Sequence, residues 1–445
     1  MKLDLGKDSL TKIIFKYGYP SVITMWIFSL YTIVDGTFIG RYLGAKEIAA
    51  VNIVMPYVNL SFALGIMIAI GSSTIIAINL GEGNKEKANK IYSLSLELLF
   101  LFGSLLGILG ILFPKKIVAF LGANDIILND AATYLFYLSF FTLFYLLSYG
   151  FEVFVRIEGC PSYSMICLCI GAALNIILDY YFILHLNLGI QGAALATGIA
   201  QFGTALSLFM YLVFKSKKLK FSPIKLSFIN SITICYKGLS EFVTEIATGI
   251  VIMAFNIVIM RIMGEKGVSA FGIIGYISTL VTMTMIGFSQ GIQPVISYNY
   301  GALNFKRIKN ILKIELVTVL ILGALFYIFI NTYVGNIISI FITDDKTIYN
   351  ITKKAINIYS FTYLLVGINI IISAFFTAIE NSFVSSILST IRGFIIINLL
   401  LYTFPSFFHE SGIWLSAPTN EFLTLIISIS IFINIGLKSI NKKYI

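Results

Sequence analysis

The sequence predicts an all-α polytopic membrane protein with twelve transmembrane helices in two pseudo-twofold-related six-helix lobes and a central cavity. Three observations carry this. The 445-residue chain is 58% hydrophobic and only 12% charged, with a mean hydropathy of +0.93. Long stretches, 48–81, 131–151, 180–214, 267–305, 316–343 and 355–379, contain no Asp, Glu, Lys or Arg. The chain also repeats itself. Residues 17–90 lie over 237–310 at an offset of 220, pairing Gly18 with Gly238, Arg41 with Arg261, Gly44 with Gly264, Gly71 with Gly291, Asn79 with Asn299 and Gly81 with Gly301. A second pair of segments, roughly 150–175 and 372–397, matches at an offset of 222, bringing Glu158 over Glu380 and Gly171 over Gly393. Parallel repeats in a long membrane protein are the plan of a secondary transporter, whose substrate path runs between two rocking halves.

A crossing helix needs about 20 apolar residues. Runs and breaks then give helices at 13–39, 48–80, 91–113, 128–155, 161–185 and 190–214 in the first half. Those of the second half are 233–262, 267–299, 310–333, 352–378, 383–405 and 412–437. The corresponding domains are an N-lobe at 1–214, a linker at 215–232 and a C-lobe at 233–445. A soluble helical protein is excluded because nothing would cover this much apolar surface.

Orientation follows from Lys and Arg placement. With both termini inside, the cytoplasmic tails and loops carry 21 of the 31 basic residues, Arg156 among them, against nine outside. The net charge of +10 is thus topology and contact with anionic headgroups, not a nucleic-acid surface. No cleavable signal peptide is evident, because the first apolar helix is too long. The four cysteines, Cys160, Cys167, Cys169 and Cys235, sit in or near helices as inert thiols and make no metal pattern. His185 and His409 are isolated near outer helix ends. No phosphate-binding loop and no nucleophile–base arrangement occurs, so the chain does not read as an enzyme.

Ionisable groups inside a crossing are costly and default to function. Five positions stand out: Asp35, Asp179, Glu241, Glu245 and Arg392. Asp35 lies about 30 Å along helix 1, Asp179 about 27 Å along helix 5, and Thr197 about 10 Å into the returning helix 6. Asn175 is one turn before Asp179 on the same face. Two carboxylates, an amide and a hydroxyl at one depth suit a sodium ion, and the carboxylate pair alone suits a proton. The bland alternative places each Asp at the headgroup level. Glu245 lies near mid-membrane on helix 7, a candidate second cation site or substrate contact, with Glu241 one turn nearer the cytoplasm. Arg392 has Glu380 as its candidate partner. Pro20, in helix 1, is a candidate hinge, because proline frees a backbone carbonyl at a kink. Methionines 253, 260, 263, 283 and 285 read as packed or lipid-facing, or as an adaptable cavity wall.

At these residues the chain resembles the MATE family (multidrug and toxic compound extrusion), in its bacterial branch. The carriers are YTIVDGTFIGRYLGAKEIAAVNIVMP, FVRIEGCPSYSM, LNIILDYYFILHLNLGIQGAALATGIAQ, GLSEFVTEIATGIVIMAFN and GFSQGIQPVISYNYGALNFKRIKN. The resemblance covers essentially all of 10–437. It implies two lobes around a V-shaped cavity and export of amphipathic, mostly cationic drugs by Na+ or H+ antiport, with no other cofactor. It implies a cation site at Asp35, Asn175, Asp179 and Thr197, and a helix 7 acid at Glu245. It further implies a monomer in a bacterial cell membrane, multi-pass with both termini cytoplasmic. The family's helix 10 acid has only Glu380 nearby, too close to the cytoplasmic end, which favours the N-lobe site. A flippase of lipid-linked oligosaccharides shares the wider architecture. Its cavity is expected to be cationic, whereas these crossings carry acids.

Overall fold

The computed structural model describes residues 5–222, 227–341 and 345–441, and every regular element among them is helical. Part of the linker (223–226) and the chain ends (1–4, 442–445), with their basic residues, lie outside the described residues. The N-lobe holds α1 (Leu10–Tyr42), α2 (Ala45–Gly81) and α3 (Lys85–Leu112). There follow α4, built of Leu128–Ser139 and Thr142–Ile157 with a 51° bend, and α5 (Pro161–Asp179, running on as Tyr180–His185). The last N-lobe crossing is α6 (Gly189–Phe214).

The C-lobe opens with one continuous stretch, Leu239–Gly301, that is two crossings. Gly264 takes φ +67° in its middle, and the chain reverses there. The rings of Phe255 and Phe271 stack 4.8 Å apart across this turn. On a straight helix they would stand about 24 Å apart. We label the halves α7 (239–263) and α8 (265–301). Gly44 holds φ +115° at the equivalent turn of the first repeat, so both repeats place glycine where a side chain would be strained.

Next come α9 (Phe305–Thr332) and α10, built of Lys346–Tyr359 and Thr362–Ala378 with a 47° bend. The final stretch, from Ser382 on, breaks at His409 (φ 50°) into α11 (382–408) and α12 (410–441). The described residues therefore make twelve crossings, bent in the fourth and tenth alike.

Membrane packing reverses the usual surface. On α3, Leu101, Leu105, Ile108 and Leu112 form an exposed apolar stripe, while Gly103, Gly107 and Gly110 face inward. Small residues inside let helix backbones approach, which is where helix association in lipid gains its energy.

The two cores exchange ends. Leu5, Ile13, Ile14 and Tyr17 pack into the C-lobe core. Ile234, on the surface helix Phe228–Lys237, packs into the N-lobe core. Asn299 Nδ2 and Arg307 Nε both donate to the Leu5 carbonyl at 3.1 Å, and Arg307 Nη2 also donates to the Asp8 carbonyl. The lobes thus hold each other at the face that carries both termini.

The linker is tied to the N-lobe at the same face. Glu158, fully buried at the end of α4, accepts at Oε1 from Ser216 Oγ (2.6 Å), Lys218 N (2.7 Å) and Leu219 N (2.6 Å), and at Oε2 from Lys217 N (3.2 Å). Burial alone would raise this carboxyl, yet the Ser216 hydroxyl and the three backbone N–H groups together hold it below the ordinary glutamate value. A lowered value means the latch is complete at neutral pH and is lost only as pH falls below the ordinary glutamate range of about 4.3. Glu158→Gln should weaken it by about 1–2 kcal/mol. Hydrogen exchange at 217–219 should then quicken roughly tenfold. Unchanged exchange would show that the linker is held elsewhere.

The predicted topology needs two corrections. Arg156 is not a loop residue: it is the last turn of α4 and 1% exposed. Arg392 does not meet Glu380. Its Nε donates to Glu421 Oε1 at 2.8 Å, because the reversal at His409 brings α12 back alongside α11. Glu380, at φ 62°, instead faces Lys237, whose Nζ donates to the Glu380 carbonyl at 2.7 Å.

Candidate transport cavity and cation site

A cavity of about 290 Å³ lies between the lobes. The N-lobe supplies most of its wall: Phe28 and Tyr31 from α1, Phe62 from α2, Tyr134, Tyr145, Tyr149 and Glu152 from α4, and Thr197 and Gln201 from α6. The C-lobe contributes Glu245 from α7, with Met283, Ile286 and Gln290 from α8. Glu245 therefore faces the cavity; Glu241 is partly buried and is not among its lining residues. Of the five methionines singled out, only Met283 lines it; Met285 is buried in the core, and Met253 and Met260 are exposed. Two hydrogen bonds cross between the lobes at the wall, Trp26 Nε1 to Thr284 Oγ1 (2.8 Å) and Tyr149 OH to Gln290 Oε1 (3.4 Å).

Asp35, Asn175, Asp179 and Thr197 come together behind the N-lobe wall. Asp35 is 7% exposed and lines the cavity; Asn175 and Asp179 are fully buried. The two carboxyl groups lie within hydrogen-bonding reach of each other. Each also keeps an Oδ1 with no hydrogen-bond partner. Two carboxyl groups in contact cannot both be bare anions, since like charges repel and neither supplies a hydrogen. A proton or a cation between them resolves the arrangement.

Asn175 has a different part from a plain ligand. With its amide turned to satisfy both neighbours, Nδ2 donates to Asp179 Oδ2 (3.1 Å) and Oδ1 accepts from Thr197 N (3.3 Å). That orientation is assigned from the network. It makes Asn175 the group that orients Asp179. The hydroxyls of Tyr31 and Tyr134 lie within hydrogen-bonding reach of the Thr197 side chain. They were not singled out in the sequence, where aromatic residues are too common to mark a site.

Pro20 lies inside α1, which is helical without a break from Leu10 to Tyr42. Fifteen positions separate it from Asp35, about 22 Å along the helix.

Beyond those near helix starts, four more acids sit in crossings: Glu97, Glu152, Glu315 and Glu421. Glu315 is 1% exposed with Oε2 unpartnered, and Glu421 accepts from Asn369 Nδ2 (2.7 Å) as well as from Arg392. Each falls inside the limits predicted for its helix. Glu152 and Glu315 border the charge-free runs 131–151 and 316–343, whereas Glu97 and Glu421 interrupt apolar stretches as Asp35 does and were overlooked.

The MatE family model matches the chain twice, over residues 20–181 and 242–403. The multidrug export protein MepA of Staphylococcus saprophyticus is 26% identical over 399 residues, 88% of this chain and 87% of that protein. The probable multidrug resistance protein YoeA of Bacillus subtilis is 25% identical over 378 residues, 83% of this chain and 81% of that protein. An outward-facing structure of a multidrug resistance MATE family transporter of the MOP superfamily shares the fold, with a TM-score of 0.93 at 22% identity over 99% of this chain and 98% of the other. One match falls in each lobe, each spanning the first five of its six crossings, and the chain belongs to the MatE family.

Proposed function

We propose that the chain is a secondary multidrug exporter that moves small amphipathic, mostly cationic compounds outward by alternating access, driven by antiport of Na+ or H+. Both termini lie in the cytoplasm of a bacterial cell, and the protein works as a monomer in the cell membrane. The observation that carries this reading is the inter-lobe cavity. Its lining combines aromatic rings with Asp35, Glu152 and Glu245 and includes no Lys or Arg among the described residues. Such walls attract organic cations through charge and through ring faces. A pyrophosphate-bearing lipid cargo would need the opposite polarity, which argues against the flippase. The relatives are named as export and resistance proteins, not enzymes.

The coupling ion is held by Asp35 and Asp179, with Thr197 beside them and Asn175 orienting Asp179. Asp35 belongs to both the ion site and the cavity wall. An ion arriving from outside neutralises the carboxyl pair, withdraws a negative charge from the wall and weakens the hold on cationic cargo. Repacking of α1, with Pro20 as its hinge, then commits the release. Antiport requires the two ligands to favour different states, because a ligand that binds both equally shifts nothing.

Inverted vesicles should take up ethidium when an outward-directed Na+ or H+ gradient from the lumen is imposed, each tested separately. Uptake with one gradient names the ion; no uptake with either, by well-inserted protein, removes the antiport reading. Glu245→Gln should raise the apparent KM for ethidium about tenfold with kcat retained, as expected for a lost binding contact. An unchanged KM would remove Glu245 from cargo recognition.

A further inference from the structure

Glu152 is a buried acid that the coupling scheme does not use. It sits on α4 within two turns of its end at Ile157, while Asp35 lies near the far end of α1. The residue is 2% exposed and lines the cavity. Its nearest cation is Arg156, whose Nε stands 3.6 Å from Glu152 Oε1, beyond hydrogen-bonding distance. Glu152 Oε1 has no hydrogen-bond partner, and neither has Arg156 at Nε, Nη1 or Nη2. A buried ion pair offsets its desolvation only when hydrogen bonds satisfy both groups, and here they do not. A buried carboxylate in this position can accept from a cationic group that brings its own donors.

The surroundings say what kind of ligand. Tyr145, Tyr149 and Glu152 follow at helical spacing along one face of α4. Phe62 meets Tyr149 edge-on at 5.2 Å and lies 6.2 Å from Tyr145. Gln290 of the C-lobe is bonded to Tyr149. A carboxylate thus shares its stretch of the cavity wall with the rings of Tyr145, Tyr149 and Phe62, between the two lobes.

We propose that Glu152 is a second cation-recognition residue of the transport cavity, receiving the ammonium or amidinium end of a flat aromatic cargo that lies against Tyr149 and Phe62. Arg156 is its resident counter-charge, so that the floor carries no net charge when cargo is absent. This deepens the export reading and rests on it. The arrangement separates the two ligands. Cargo arriving from the cytoplasm meets Glu152 first, and the driving ion meets Asp35 and Asp179 at the other end.

The test is equilibrium binding to purified full-length protein of two fluorescent probes, ethidium (cationic) and N-phenyl-1-naphthylamine (neutral). Glu152→Gln should weaken ethidium about tenfold, the cost of one charged contact, and leave the neutral probe within about twofold. That single change strands the Arg156 charge, so the double variant Glu152→Gln with Arg156→Met is measured beside it. It keeps the floor neutral and should show the same selective loss. If the single variant loses both probes together and the double variant recovers both, the pair is only a structural brace and the proposal is overturned. Unchanged ethidium affinity in both variants overturns it too. Wild-type protein that fails to bind ethidium at all overturns the cationic-cargo reading and this one with it. Wild-type binding that survives Glu152→Gln removes Glu152 alone.

Discussion

Asp179→Asn should abolish gradient-driven efflux while leaving the protein folded and inserted. The substitution keeps the shape and removes the charge. The new amide can donate to Asp35, so the buried contact gains a hydrogen bond and needs no ion to hold it together. Neutralisation by an external ion then has nothing left to do at this position. Coupling is a difference between two states, and driving a two-state equilibrium from one side to the other needs an affinity ratio of about 10⁴. Removing one of the two carboxylates takes away the largest part of that difference. Efflux under an imposed gradient should therefore fall by at least about a hundredfold, near 2.8 kcal/mol. Asp35→Asn should do the same and also weaken cargo binding, because Asp35 faces the cavity and Asp179 does not line it. Asn175→Asp tests the orienting role. A third carboxyl would face Asp179 Oδ2 where an amide N–H now stands, and efflux should collapse without loss of insertion. Normal transport by both Asp variants would remove the N-lobe site.

Much of this site was legible because membranes make charge conspicuous. Asp35 and Asp179 interrupt apolar runs, and helix rise alone puts them at one depth. What rise cannot give is rotation about each axis, so the direct contact of the two carboxyls had to come from the packed helices. The same limit hid the true partner of Arg392. Glu380 was near in sequence and in predicted depth. Glu421 lies beyond a reversal at His409, and only the way α12 packs on α11 brings it to 2.8 Å. Basic residues usually mark loops, which is where the sequence puts Arg156, but the last turn of α4 carries it into the interior. Tyr31 and Tyr134 carried no signal at all in a chain with 25 tyrosines. The fold was easier to read. Twelve crossings and the paired turns at Gly44 and Gly264 follow from apolar runs and from the 220-residue repeat, because each repeat must solve the same backbone problem.

That repeat points to the second large effect. Gly81 and Gly301 are equivalent positions, the last residues of α2 and α8. Each meets the other's helix at its backbone. A Cβ on Gly81 would overlap the Tyr298 carbonyl oxygen, and one on Gly301 would overlap that of Ile78. Two helices touching reciprocally at symmetry-matched glycines mark the pseudo-twofold of the repeat and bring α2 and α8 into backbone contact at the terminal face. Carbonyl oxygen cannot move aside as a side chain can, so a methyl group there forces the helices apart. Overpacking of this kind costs about 1–3 kcal/mol. Under alternating access the cost falls only on the state in which α2 and α8 touch, and it becomes a population shift of about 5–150-fold toward the state open at the terminal face. Gly301→Ala should shift the balance, and Gly81→Ala with Gly301→Ala should shift it further. Spin labels at the exposed positions 82 and 302, in a background freed of the four native cysteines, report the gap directly. The expected result is a longer distance distribution in the variants, with ethidium efflux falling in step while binding to purified protein persists. A distance distribution identical to wild type, with normal efflux, would show that this crossing never opens and that the lobes part somewhere else.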